Sequence, residues 1–255
     1  MLSQPTIDQL HDLKLLGMAT ALDEQRRNPG AFAELDFEDR FGLLVEAEHL
    51  HRDNRRTAIA LRNAKLKLPN ACLEDLDYAP RRKLQRAVIR QLATCRWIDE
   101  HQQILISGPA GVGKTYLACA FANLACRRGY RALYRRASRL FDEMMLARAD
   151  GTYPRLLARL AKIDVLVIDD LAMAPLGDTQ RQDLYEIFDD RYGSRSTIIT
   201  SQLDPKHWHE FLAEPTIADA ICDRVLHNAH RIVLAGSSKR DSNTTQTEDT
   251  DNTID

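Results

Sequence analysis

Gly108-Pro109-Ala110-Gly111-Val112-Gly113-Lys114-Thr115 follows the apolar run Ile104-Leu105-Ile106 and leads into an apolar stretch at 116–125 that begins with Tyr116. A strand, a turn of the form G-x-x-x-x-G-K-T and a helix, in that order, make a loop whose amides converge on a phosphate chain. The helix N-terminus adds partial positive charge at the same point. Lys114 is expected to reach the β- and γ-phosphates, and Thr115 to offer its hydroxyl to Mg2+. The eight residues of the loop, with Tyr116 behind them, are the expected seat of ATP.

Two later strands supply what such a loop needs. Asp164-Val165-Leu166-Val167-Ile168-Asp169-Asp170 reads as a buried strand ending in two carboxylates. Asp169 is expected to hold the water shell of Mg2+, and Asp170 to polarise the attacking water, a task more often given to glutamate. Thr197-Ile198-Ile199-Thr200 ends in Ser201-Gln202. Ligands of parallel sheets sit at the carboxyl ends of strands, so Gln202, and after it Ser201, are candidates to touch the γ-phosphate or its water. An ordinary turn would use the same residues. Arg224 falls on the flank of the apolar face of a helix over 216–229. There it can serve a neighbouring subunit as an arginine finger, pair with Asp219 or Asp223, or simply be solvated.

Outward from the loop, strands at 103–107, 131–135, 164–168, 196–200 and 231–234 alternate with helices at 113–128, 178–192 and 216–229 and helical segments within 138–161. Alternation of this kind predicts an α/β fold, a parallel five-stranded sheet flanked by helices with right-handed crossovers. Upstream, Pro80 opens a helix to about Cys95. Periodic apolar residues predict helices over 6–28 and 37–66. The expected organisation is a helical N-terminal domain at 1–66, a linker at 67–80, an ATP-binding domain at 81–235 and a disordered acidic tail at 236–255.

Composition narrows the class. The 255 residues are 44% hydrophobic and 28% charged, as expected of a chain with a real core. No apolar run has the length of a membrane span, and no signal pattern opens the chain. Five scattered cysteines form no C-x-x-C, which argues against a disulfide scaffold or zinc ribbon and for a reducing, cytoplasmic setting. His207 and His209 flank Trp208 without further ligands nearby, so no metal site is expected there.

The net charge of −2 conceals a segregated pattern. Residues 1–50 carry −6, 52–90 carry +7, 127–162 carry +7, 163–234 carry −7 and the last 15 carry −5. Two basic blocks in a near-neutral chain predict a polyanion-facing surface, although arginine-rich helices can also be merely solvated. In the second block Arg135, Arg136, Arg139, Arg148, Tyr153, Arg155 and Arg159 are the candidate DNA contacts, since each planar guanidinium can bind two phosphate oxygens. Arg55, Arg56, Arg62, Lys65 and Lys67 in the first block are candidates for DNA or protein contacts. No base-reading module is present, so binding through backbone and shape is expected.

The loop, V-L-V-I-D-D-L-A-M-A-P-L at 165–176, T-I-I-T-S-Q-L at 197–203 and A-D-A-I-C-D-R-V-L-H-N-A-H-R-I at 218–232 together resemble the IstB-like family. These are AAA+ ATPases encoded beside a transposase in bacterial insertion sequences, relatives of helicase loaders and initiator ATPases. The helical segment Leu13-Lys-Leu-Leu-Gly-Met-Ala-Thr-Ala-Leu22 carries the likeness to the N-terminus. The resemblance implies ATP-dependent self-association on double-stranded DNA, deformation of that DNA, and recruitment and stimulation of a transposase. It favours Arg224 as the arginine finger and places the basic insert between the second and third strands toward DNA. One departure is plain: too few apolar residues follow the last strand for a helical lid, which leaves Lys239 and Arg240 as poor substitutes for a lid arginine. The alternatives are a helicase loader of replication, a nucleotide-gated architectural protein with little hydrolysis, and a small-molecule kinase, for which the basic blocks offer nothing specific.

Overall fold

The computed structural model describes residues 3–238, with side chains from Pro5 onward. The tail from residue 239, with Lys239 and Arg240, lies outside the described residues. The chain divides at Ile59/Ala60 into two compact units.

The first unit is helical. It holds α1 (Ser3–Asp12), α2 (Leu16–Arg27), a 3-10 turn at Pro29–Phe32 and most of α3 (Phe37–Ala64). The single helix expected over 6–28 is broken at Lys14, whose φ is 59°. The Lys14 amide donates to His11 O and the Leu15 amide to Leu10 O, which closes α1 with a left-handed cap. A lysine in that role carries no stop signal, and the apolar period runs on across the break. α2 lies antiparallel along α3: Gln25 Nε2 donates to Arg40 O, and the amides of Gly17 and Met18 donate to Glu48 Oε2 at 2.8 and 3.2 Å. Glu48 thus satisfies two of the orphan amides that open α2. Position 17 must be glycine, since an added Cβ would lie 2.5 Å from Ala47 O.

The second unit contains α4 (Arg86–Leu92), α5 (Arg96–Asp99), β1 (Gln103–Ser107), α6 (Lys114–Arg127), β2 (Ala132–Arg136), α7 (Ala137–Ala149), α8 (Tyr153–Ala161), β3 (Val165–Leu171), α9 (Asp178–Arg191), β4 (Ser196–Ser201), α10 (Trp208–Leu212), α11 (Pro215–Leu226) and β5 (Ala229–Val233). The five strands are parallel in the order β2-β3-β4-β1-β5. The helix expected from Pro80 to Cys95 is instead a 3-10 turn at Pro80–Arg82 followed by α4. Lys83 and Cys95, both with positive φ, bound α4 on its two sides. α11 and β5 each end earlier than the apolar pattern indicated, and β3 runs on through both carboxylates.

Strand side chains alternate between two buried layers. Ile104, Ile106, Tyr134, Val165, Val167 and Ile198 face α6 and the segment around Leu66, Ala71 and Leu73. Leu105, Leu133, Leu166, Ile168 and Ile199 face α7, α9 and α11. Burial on both faces explains the unbroken apolar runs of Ile104 to Ile106 in β1 and Val165 to Ile168 in β3. Arg191, 2% exposed, donates to the carbonyls of Leu160, Ile163 and Ser196 and to Thr197 Oγ1, and so closes the sheet end opposite the phosphate loop. Among the described residues no helix follows β5, and no helix is long and apolar enough to cross a membrane.

Candidate functional site

The loop at 108–115 leaves the carboxyl end of β1, between β4 and β5, and turns into α6. Gly111 (φ 79°) and Gly113 (φ 97°) hold backbone conformations that side-chain-bearing residues rarely adopt. Lys114 Nζ lies inside the turn and donates to Gly108 O and Pro109 O, each at 2.7 Å. Lys114 as a whole is 6% exposed, buried in the turn that its ammonium bonds.

Thr115 Oγ1 lies 3.0 Å from both carboxylate oxygens of Asp169. Asp169 is fully buried and also accepts from Tyr134 Oη at 2.6 Å and Thr200 Oγ1 at 2.6 Å. Burial first, and the Asp169 carboxylate second, push the Tyr134 phenol upward, so it remains a donor. A threonine hydroxyl beside a carboxylate is the hard-oxygen donor set that suits Mg2+, with phosphate and water oxygens to complete it. Thr200 links the two acids, because its hydroxyl accepts from the Asp170 amide at 2.9 Å while donating to Asp169. Asp170 itself has φ 58°, and the β3–β4 ladder slips between Ile168 and Leu171. This left-handed residue turns the second carboxylate out of the strand's alternation.

Two cavities adjoin the loop. One, of about 370 Å3, is lined by Lys67, Ala110, Gly111, Lys114, Thr115, Arg136, Asp170, Met173 and Gln202. The other, of about 320 Å3, is lined by Leu76, Asp77, Arg82, Leu84, Gly113, Leu117 and Leu234. Tyr116 borders both, its hydroxyl held at the backbone of Cys72. The buried Arg82 donates to Val112 O and lies 3.8 Å from Asp77. The segment after β5 passes over the loop: the Leu234 amide donates to Ser107 O, the Ala235 amide to Arg82 O, and a Cβ at Gly108 or Gly111 would collide with Leu234 O or Ser238 Oγ.

The structure brings Lys114, Thr115, Asp169, Asp170 and Gln202 to one place. Gln202 faces the first cavity, with Nε2 on Met173 Sδ, whereas the buried Ser201 hydroxyl accepts from the Leu203 amide within its own turn. Arg224 borders neither cavity; it lies over the Tyr185 ring and pairs with Asp189 of α9, not with Asp219 or Asp223. The basic insert divides. Arg135 is buried against Glu143 and Tyr134 O, and Arg148 and Tyr153 converge on the buried Asp183. Arg136 turns into the first of the two cavities. Arg139, Arg155 and Arg159 are exposed, the last two along a groove of about 770 Å3 between α7 and α8. Sequence reasoning missed Tyr134, Thr200 and Arg82. Tyr134 and Thr200 were findable from strand order, since β2 and β4 flank the strand that carries Asp169; Arg82 acts through a turn that no pattern marks.

The model of the family described as IstB-like ATP binding protein matches residues 8–247. An insertion sequence ATP-binding protein of Sinorhizobium fredii is 48% identical over 240 residues, covering 94% of this chain and 97% of that one. The ATP-binding protein of insertion sequence IS1162 from Pseudomonas fluorescens is 48% identical over 203 residues, 80% of this chain and 87% of its own. Among solved structures, the DnaC helicase loader superposes with a TM-score of 0.53 at 24% identity, over 65% of this chain and 97% of that chain.

Proposed function

The chain belongs to the IstB-like ATP-binding proteins, and from that premise we propose that it is an ATP-hydrolysing, DNA-binding helper of a transposase. The observation that carries the chemistry is the Thr115–Asp169 contact beside the buried Lys114. Loop amides and Lys114 would hold the phosphates, Thr115 and Asp169 would hold Mg2+, and the base would enter the apolar cavity bordered by Leu84, Tyr116 and Leu234. When bound, Mg2+ supplies charge neutralisation on the phosphate oxygens. Asp170 accepts a hydrogen bond from the attacking water and aims it at the terminal phosphorus. Gln202 contacts the phosphate or the water from the opposite strand. The water oxygen bonds to the terminal phosphorus as the bond to the bridging oxygen breaks, the water's proton passes by way of Asp170 to the departing phosphate, and ADP and inorganic phosphate leave.

Arg139, Arg155 and Arg159 support an exposed phosphate-binding surface for double-stranded DNA. Arg224 completes the site of a neighbouring copy by leaving Asp189 for the terminal phosphate. The stripe of exposed Phe37, Phe41 and Val45 on α3 supports protein contacts by the helical unit, with other copies or with the transposase. Relatives named for insertion sequences support the transposase as partner.

Phosphate release measured with and without duplex DNA tests this reading. Turnover that rises with DNA and vanishes in Lys114→Ala is expected. Turnover indifferent to both DNA and Lys114 would remove it.

A further inference from the structure

Neighbouring arginines at the end of β2 point in opposite directions, as strand residues must. Arg135 goes to Glu143, whereas Arg136 places Nε 3.2 Å from Asp170 Oδ2. Both partners border the cavity that also holds Lys114 and Gln202. Neither is delivered by a loose loop. Arg136 pairs with Asp169 in the β2–β3 ladder and is the residue from which α7 starts, while Asp170 is pinned through its amide to Thr200. The side chains are 50% and 20% exposed, and an ion pair this open to water is weak and readily exchanged.

We propose that Arg136 is a binding residue for the terminal phosphate, supplied by the same chain that supplies Lys114. Without that phosphate its guanidinium rests on Asp170. A triphosphate offers more negative charge and several acceptor oxygens, which a planar fork of five donors matches better than it matches one carboxylate. The guanidinium then passes to the phosphate, and the Asp170 carboxylate is released to hold water. A diphosphate lacks the group that wins this exchange, so Asp170 stays restrained. The chain thereby has a same-subunit arginine at its phosphate cavity although no helix follows β5 among the described residues. This assignment rests on the nucleotide reading above and goes beyond it, because it makes the state of Asp170 depend on which nucleotide is present.

Calorimetric titration of the full chain with Mg2+ and either ADP or the slowly hydrolysed analogue ATPγS tests it. Arg136→Ala is expected to weaken ATPγS binding about tenfold or more, the range of hydrogen bonds to charged groups, with ADP affinity within about twofold of wild type. Arg136→Lys should recover only part of the loss, and it serves as the deciding variant if the alanine form does not fold. Asp170→Asn, which removes the competing charge, should tighten ATPγS a few-fold and leave ADP unchanged. Lys114→Ala should weaken both nucleotides. An ATPγS-to-ADP affinity ratio that stays at the wild-type value in the Arg136 variants overturns the assignment alone. Failure of the wild-type chain to bind either nucleotide overturns the nucleotide reading and the assignment with it.

Discussion

Arg224 grips Asp189 through two nitrogens, Nε at 2.8 Å and Nη2 at 2.7 Å, with its guanidinium carbon 4.9 Å from the centre of the Tyr185 ring. Asp189 is half exposed, so this pair is worth at most about 1 kcal/mol. Arg224→Ala is therefore expected to melt within a few degrees of wild type and to keep ATP affinity within a few-fold. If the side chain acts in a neighbour's site, DNA-dependent turnover falls by roughly 10³ or more. Mixing Arg224→Ala with Lys114→Ala then restores activity, because one interface combines an intact loop with an intact finger. Mixed assemblies without recovery would return Arg224 to a role within its own subunit.

Lys114→Ala should abolish ATP binding and leave the fold in place. The ammonium donates to Gly108 O and Pro109 O, loop carbonyls that can turn to water when it is removed. Nucleotide titration alongside circular dichroism checks both halves, and wild-type affinity in the variant would remove the loop from the mechanism.

Thr200→Val is isosteric but removes the hydroxyl between the two acids. A buried carboxylate loses a donor and the Asp170 amide loses its acceptor, which together should cost about 1–3 kcal/mol in denaturant unfolding. Turnover should fall as well. Unchanged stability would mean that water replaces the hydroxyl without loss.

Salt should govern DNA affinity. For ~6 phosphate contacts the slope of log affinity against log salt is roughly −5. Replacing Arg139, Arg155 and Arg159 together should flatten it, whereas replacing Arg135, which is buried, and Arg148, which pairs with the buried Asp183, should act through stability. A wild-type slope near zero contradicts the surface.

Glu48 couples the helical unit to pH. Burial raises its carboxyl, but Arg52 and the amides of Met18 and Gly17 outweigh burial and hold it below the usual glutamate range. The folded state then binds the proton less tightly than the unfolded chain. The stabilisation is present above the unfolded value of about 4.3 and is lost as pH falls through the lower folded value. Wild type should melt above Glu48→Gln at pH 7, and the gap should close toward pH 3. A gap independent of pH would assign the effect to shape and not to charge.

Sequence pattern reached the sheet through β1 and β3, which are buried on both faces and bounded by turns, so that their apolar runs are unbroken. It reached Lys114, Thr115 and Asp169 because a phosphate loop ties residue type to spacing. It did not reach Lys14 or Lys83, where a lysine adopts the conformation usually left to glycine, and two expected helices were cut there. Nor did pattern show the direction of Arg135, Arg136 and Arg148. A charge count sees three cations where the fold makes a buried ion pair, a phosphate-cavity residue and a brace on Asp183.

The chain makes its phosphate loop early and the wall of that site late. β1 stays an edge strand until β5 pairs with it, and the segment lying on Gly108 and Gly111 follows β5 directly. During synthesis there is thus a long interval in which Lys114 exists but Leu234 does not, and in which an open strand edge can recruit a wrong partner. Nucleotide capture is then expected only after β5 and the segment behind it have been made. Ribosome-bound chains halted before Ala229 are therefore expected to retain no ATP on a filter, and retention by them would show that the loop captures nucleotide without this wall.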